Sequence, residues 1–414
     1  MSRWIDLNGL VLGAATASFQ IEGGADSRGS TIWDDLCRRP GAIDNGDTGE
    51  VAADHYNRWR EDVALMKELG LDAYRLSISW ARVQPGGDGP LNPEGVQFYR
   101  GLLGALRDAG ISPWVTLYHW DLPSELEQAG GWPVRATAEA YGRYSRLMAE
   151  QLGDLVDGWI TLNEPWCTAY LGYASGVHAP GRTDPADAFA TVHHLNLGHG
   201  LAVQALRDVL GPDVPVGVTL NVHANYPFDR GNPDDVRAAE IIEMIGNRAF
   251  LDPMMHGRMP EKLREITAGI TDWGFVREGD LEIANQPTDF LGLNYYSTQY
   301  LRWNESPDVN RTGGHGESEH SPWPGSDGVE FVPPEPPVTA MGWNIEPHGL
   351  TDLLVRLGEE FPGLPLYVTE NGAAYDDDPP VASEGGSPRV ADPLRQAYVE
   401  KHLAAVVDAR AAGA

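Results

Sequence analysis

Seven short apolar runs recur along the chain, each followed by polar or aromatic residues and then by a stretch with helical spacing. The runs are Leu10–Thr16, Ala73–Ile78, Ser112–Leu117, Gly158–Leu162, Val214–Leu220, Phe290–Leu293 and Leu366–Thr369. They are close to continuously apolar rather than alternating, which predicts strands buried on both faces of a parallel sheet. Helical patterns separate them: Glu61–Leu69, stopping at Gly70, then Val96–Ala109, Ala138–Leu152, Ala186–Leu210, Leu350–Gly358 and finally Ala397–Ala412. Strand–helix units at such wide, regular spacing predict an α/β fold and fit a (β/α)8 TIM barrel better than a doubly wound sheet. No glycine-rich phosphate or dinucleotide loop opens any of the helices. Asn304–Val338 and Asp376–Pro393 are rich in Pro, Gly and acidic residues, and read as loops over the barrel mouth. With no repeat and no linker long enough to divide it, the chain reads as one barrel domain over residues 1–414.

Composition narrows the function classes. Of 414 residues 42% are hydrophobic and 22% charged, so a large core is available and wholesale disorder is excluded. Sixty acidic against 30 basic residues give a net charge of −30, which repels phosphate backbones and anionic lipid, so neither nucleic acid nor membrane is expected as a partner. Two cysteines, Cys37 and Cys167, cannot make a disulfide framework. The opening Met-Ser-Arg-Trp-Ile-Asp has no apolar run of signal length, and the expected location is cytoplasmic. Thirteen Trp and 15 Tyr against 9 Phe suit a wet, flat-walled pocket.

In a barrel, the residues just past each strand converge on one face. Here they are Gln20, Arg75 with Trp80, His119 with Trp120 and Asp121, Asn163 with Glu164, Asn221, Asn294 with Tyr296, and Glu370 with Asn371. Two carboxylates on the fourth and seventh strands stand among amides, an imidazole and indoles. Amides and imidazoles hydrogen-bond neutral hydroxyls, indoles stack on sugar C–H faces, and paired carboxyls are what glycosidic-bond cleavage requires. The rim is that of a carbohydrate site.

The chain resembles glycoside hydrolase family 1, the β-glucosidases and their relatives. The resemblance lies in Ala14–Gly23 (AATASFQIEG), Tyr74–Arg82 (YRLSISWAR), Leu117–Pro123 (LYHWDLP), Thr161–Pro165 (TLNEP), Asp289–Tyr296 (DFLGLNYY), Met341–Gly349 (MGWNIEPHG) and Val368–Gly372 (VTENG). It implies a retaining exo-β-glycosidase of β-glucosidase type. Such an enzyme removes terminal β-glucosyl residues from cello-oligosaccharides or aryl glucosides through a covalent glycosyl-enzyme, with some transglycosylation. Glu164 then corresponds to the acid/base and Glu370 to the nucleophile, with their pKa values held apart and their carboxyls roughly 5 Å apart. Arg75 and Tyr296 are expected to favour the ionised nucleophile. Gln20, His119, Asn163, Asn221 and Asn294 are expected on the sugar's hydroxyls, with Asn163 at the 2-OH. Trp343 is the expected leaving-group platform, while Trp33, Trp120, Cys167, Tyr170 and His178 line the outer cleft. No cofactor and no metal are implied.

Other clusters carry blander readings. His193, His194 and His199 do not present two imidazoles at i, i+4 on one helix face and read as helix packing. Asp376–Asp378 lacks the ligand spacing of a calcium loop. The resemblance also implies an eighth strand and helix, with a Trp and a Glu-Trp pair gripping the sugar, and these follow no residue up to Ala414. The expectation is therefore of a C-terminally incomplete barrel, a fragment or cleaved chain whose partner is a complementing C-terminal segment. On that view it is an inactive or weakly active, glycan-binding piece on its own. A 6-phospho-β-glucosidase is the other alternative. Assaying the purified 414-residue chain on an aryl β-glucoside tests the expected weakness, and efficient turnover would refute it.

Overall fold

All seven apolar runs form strands of one parallel sheet in the computed structural model, which describes residues 7, 9–306, 308–381 and 389–414. Residues 1–6, and the part of the second expected loop over 382–388, lie outside the described residues. The strands are β1 (Gly13–Ala15), β2 (Ala73–Ser77), β3 (Ser112–Tyr118), β4 (Gly158–Asn163), β5 (Val216–Leu220), β7 (Phe290–Asn294) and β10 (Leu366–Glu370), bonded in the order β1-β2-β3-β4-β5-β7-β10. Sequential parallel pairing with a helix in most crossovers is the wall of a TIM barrel. The outermost strands β1 and β10 do not pair, yet their Cα atoms come within 8 Å, so the sheet curls almost to closure. Tyr367 on β10 is 37% exposed, whereas β4 and β5 are buried throughout.

Register decides which side chains meet at the mouth. Ser77 lies opposite Thr116, Asn163 opposite Thr219, and Glu370 opposite Asn294. The polar strand ends therefore form one ring above an apolar barrel.

Four helices begin about one turn earlier than apolar periodicity predicts, at Pro93–Asp108, Arg135–Leu152, Pro347–Glu360 and Pro393–Ala411, whereas Pro185–Leu210 starts one residue ahead of the expected Ala186. At Asn92, Asp184 and Asp392 a side chain caps the backbone N–H groups of the first turn, and proline follows. Proline at the first position lacks only an N–H that has no partner anyway, so the cap marks the start before any apolar residue does. Helix His55–Leu69 likewise starts ahead of the predicted Glu61, because His55 and Trp59 are buried.

The segment Asn304–Val338 is not all loop. Its Val329–Phe331 forms β9, which joins β6 (Ala224–Pro227) and β8 (Thr298–Trp303) in a small second sheet with order β6-β8-β9. Alternating apolar residues are too few there to signal a strand; pairing with β8 creates it.

The helix Pro185–Leu210 crosses the neighbouring Asp280–Ala284 at Gly200. A Cβ there would sit 1.7 Å from the Ile283 carbonyl oxygen. At Gly104 a Cβ would meet nothing within 4 Å. Gly200→Ala is expected to destabilise by about 2 kcal/mol or more, while Gly104→Ala should stabilise by roughly 0.5–1 kcal/mol. Urea denaturation of both variants checks the pair, and equal effects would contradict the packing described.

Candidate active site

Arg75 points from β2 into the barrel and is 6% exposed. A buried guanidinium is stable only when its N–H groups are met. Its Nε donates to Thr116 Oγ1 (3.0 Å) on β3, Nη2 to Asn163 Oδ1 (2.6 Å) on β4, and Nη1 to Glu370 Oε1 (2.6 Å) on β10. Because a guanidinium only donates, each partner atom must accept. That settles the amide of Asn163: Oδ1 faces Arg75, and Nδ2 donates to His119 Nε2 at 3.1 Å. His119 Nε2 is then the unprotonated nitrogen, and Nδ1 carries the hydrogen. Nδ1 is buried without a partner among the described residues. Burial lowers the His119 pKa to about 4, so the ring is neutral at pH 7.

Asn294 is oriented in the same way. Its Nδ2 donates to Asn163 Oδ1 (3.0 Å) and to Glu164 Oε1 (2.7 Å), while its Oδ1 accepts from Thr369 Oγ1 (2.8 Å). Thr369 Oγ1 in turn accepts from Thr219 Oγ1 at 3.1 Å.

The two carboxyls meet opposite environments. Glu370, its side chain 19% exposed, takes Arg75 on Oε1 and the Tyr296 hydroxyl on Oε2 at 2.7 Å. Burial works to raise its pKa, but the charge of Arg75 leads the contributions that together hold it below the usual carboxylate value. Burial, and next the charge of Glu370, push the Tyr296 phenol far up, so it stays a donor. Glu164 is 6% exposed, and its pKa is pushed up to about 7, first by burial and then by Glu370. The surroundings thus favour the ionised form of one carboxyl and the protonated form of the other.

Two backbone positions near Glu164 are strained. Trp120 and Glu164 have φ of +76° and +43°, a region that L-residues enter at a cost of about 1–3 kcal/mol. The turns hold each other: Trp120 Nε1 donates to Asn163 O (3.0 Å), and Glu164 N to Thr219 O (3.0 Å). Past Glu164 the chain enters a buried π-helical segment, Cys167–Ser175, a geometry found frequently at functional sites. Cys167 Sγ lies 3.2 Å from Glu164 Oε2, and Asn221 Nδ2 lies 3.7 Å from the same sulfur.

Other expected residues divide into those that join the site and those that do not. Trp33, His178 and Trp120 form a run of ring contacts, with centroids 5.2 and 5.3 Å apart. Trp343 lies 5.6 Å from the Tyr296 ring. Gln20 is exposed on the mouth helix Ser18–Ile21 and makes no side-chain hydrogen bond among the described residues. Tyr170 does not line the cleft: it is fully buried, bonded to Ile245 O and packed on Phe189 and Phe250, so its expected place is corrected to the core. His193, His194 and His199 are buried helix-packing residues bonded to Asp280, Trp132 O and Thr161. Asp252, His256 and Glu360 come together away from the mouth, but Arg248 already sits between Asp252 and Glu360.

Sequence reasoning missed the threonines. Thr116, Thr219 and Thr369 read as ordinary β-formers, and only the structure shows Thr116 accepting from Arg75 and the hydroxyls of Thr219 and Thr369 leading to Asn294. It also left Asp121 without a role. That carboxyl accepts from Ser18 Oγ at 3.0 Å, tying the mouth helix to the β3 end, and burial raises its pKa to about 7.

Comparison with known proteins gives the chain's relatives. The sequence profile of glycosyl hydrolase family 1 matches residues 7–414. The bifunctional β-D-glucosidase/β-D-fucosidase of Bifidobacterium breve is 45% identical over 404 residues, covering 96% of this chain and 85% of that protein. The 1,4-β-D-glucan glucohydrolase of Thermotoga neapolitana is 40% identical, over 95% of this chain and 87% of that one. The crystal structure of the psychrophilic β-glucosidase BglU from Micrococcus antarcticus superposes with a TM-score of 0.91 at 45% identity, over 97% of this chain and 86% of its own.

The raised pKa of Glu164 carries a stability consequence. Its proton contributes stability that is fully present below the ordinary 4.5 and is lost as pH rises to about 7 and beyond. Glu164→Gln should match the parent near pH 4 and exceed it by about 1–3 kcal/mol near pH 8. Denaturant titrations at the two pH values check this, and a variant no more stable at pH 8 would contradict the buried-carboxyl argument.

Proposed function

The chain belongs to glycosyl hydrolase family 1 and is a glycoside hydrolase of the β-glucosidase kind, and from that premise we propose that Glu370 and Glu164 carry out a two-step retaining reaction. One observation supports the roles above all others: a half-buried carboxylate is clamped by Arg75 and Tyr296, while the second carboxyl, Glu164, is buried and bonded only to Asn294 and Cys167 among the described residues, an environment that raises its pKa. In the first step Glu370 attacks the anomeric carbon. The glycosidic C–O bond breaks, and the departing oxygen takes the proton of Glu164. Glu370 is now an uncharged ester, so the repulsion that raised the Glu164 pKa falls. Water then attacks the same carbon, gives its proton to Glu164 and releases Glu370 as a carboxylate. An acceptor sugar in place of water gives transglycosylation.

Sugar recognition follows from donors and acceptors in the ring. His119, bonded through Nε2 to the Asn163 amide, stands with Asn163 and Asn294 to meet sugar hydroxyls, and the two amides lie between the two carboxyls. Trp343 and Trp120 offer flat faces on the two sides, Asn221 borders the leaving-group side, and Gln20 contributes from the mouth helix. Terminal β-glucosyl groups of short glucosides or cello-oligosaccharides are the proposed substrates. The helices carry no span long and apolar enough to cross a membrane among the described residues.

Glu370→Ala should abolish covalent glycosyl-enzyme formation, at a cost on the order of 10⁴-fold or more in rate. Glu164→Ala should spare glycosyl transfer from activated aryl glucosides while losing poor leaving groups by a factor of about 10²–10⁴. A 2-fluoro aryl glucoside read by mass spectrometry of the Glu370 peptide distinguishes the two; a label on any other residue would displace the assignment.

A further inference from the structure

The donor-only guanidinium of Arg75 determines more than the ionisation of Glu370. It requires Asn163 Oδ1 to accept, and Asn294 must therefore present Nδ2 to that oxygen. The second hydrogen of the same Nδ2 goes to Glu164 Oε1 at 2.7 Å. Oε1 is thus committed as an acceptor and cannot hold a proton without facing an N–H. The remaining oxygen, Oε2, faces Cys167 Sγ at 3.2 Å, within hydrogen-bond distance for sulfur. Cys167 and Glu164 are both buried.

We propose that the mobile proton of Glu164 resides on Oε2 and that the thiol of Cys167 is its switchable partner, accepting from Oε2–H in the acid form and donating S–H to Oε2 in the carboxylate form. The inference rests on Glu164 being the acid/base. An amide nitrogen can only donate, whereas a thiol is a weak donor and a weak acceptor. The acid/base must be protonated in one step and ionised in the next, so a partner that serves both states suits it. Weakness also matters: a strong acceptor would hold the proton against the glycosidic oxygen, and a thiol releases it. Asn221, donating to Sγ from the β5 end, holds the sulfur from its other side.

Cys167 is therefore a positioning residue, acting through Glu164 rather than on the sugar. The other charged and titratable groups acting on Glu164 are Glu370 of β10, Arg75 of β2 and Tyr296 beyond β7. All three remain in the variants below. Burial raises the pKa of the Cys167 thiol, and Glu164 raises it further, so it keeps its hydrogen throughout the working range.

The test needs no turnover. The chain holds two cysteines, and Cys37→Ser leaves Cys167 as the single source of the infrared S–H stretching band. In that background the band is expected to move to lower frequency and broaden as pH rises through the titration of Glu164. Adding Glu164→Gln should make it independent of pH. Carbon-13 NMR of glutamate-labelled protein follows Glu164 itself, identified by the resonance lost in Glu164→Gln. Cys167→Ala removes the donor to the carboxylate and should raise that midpoint by about half a unit to one unit, whereas Cys167→Ser should not. An S–H band unmoved while Glu164 titrates, or a midpoint unchanged in Cys167→Ala, would overturn the proposal. A Glu164 carboxyl titrating near the ordinary 4.5 would instead overturn the acid/base assignment beneath it.

Discussion

The buried charge of Arg75 is the constraint on which the site depends. A guanidinium in a barrel interior must bond its N–H groups or forfeit several kcal/mol. Satisfying it draws together Thr116, Asn163 and Glu370 from separate strands. Because it cannot accept, it also gives a direction to every hydrogen bond linked to it. The direction passes through Asn163 to His119 on one side and through Asn294 to Glu164 on the other. A single cation thus favours the ionised form of one carboxylate and, through two amides, sets an N–H donor on one oxygen of the other.

The asymmetry has a cost in stability. Glu164 sits in a dry position beside a second carboxylate and in a left-handed backbone conformation, next to a left-handed Trp120. None of these is favourable alone. They persist because the Trp120 indole and the Thr219 carbonyl hold the turn from two neighbouring strands. In that conformation the Glu164 carboxyl reaches Asn294 and Cys167.

Much of this was legible before any coordinates. The apolar runs predicted the strands to within a few residues, because a strand buried on both faces needs a nearly continuous apolar sequence. Counting forward from each run then located His119, Asn163, Glu164, Asn294 and Glu370 at the strand ends, whereas Arg75 lies inside its strand. The helix starts at Pro93 and Pro393 came out about a turn late, since Asn92 and Asp392 cap first turns with little apolar signal. Tyr170 was misplaced because a buried aromatic and a cleft-lining one look alike in sequence, and only the packing of Phe189 and Phe250 around it separates them. The strand at Val329–Phe331 was missed because it exists only through pairing with β8.

The sequence by itself determined the strand–helix order, the family resemblance and which residue types ring the mouth, since these rest on periodicity and motif. The tertiary structure decided everything that depends on distance and direction. It set which oxygen of Glu370 meets Arg75, which nitrogen of His119 is left with its hydrogen, and the meeting of Cys167 with Glu164. The physical reason is that a hydrogen bond requires a donor aimed at an acceptor across about 3 Å. Residues that satisfy it here are separated by up to 295 positions along the chain, and only the closing of the sheet brings them together.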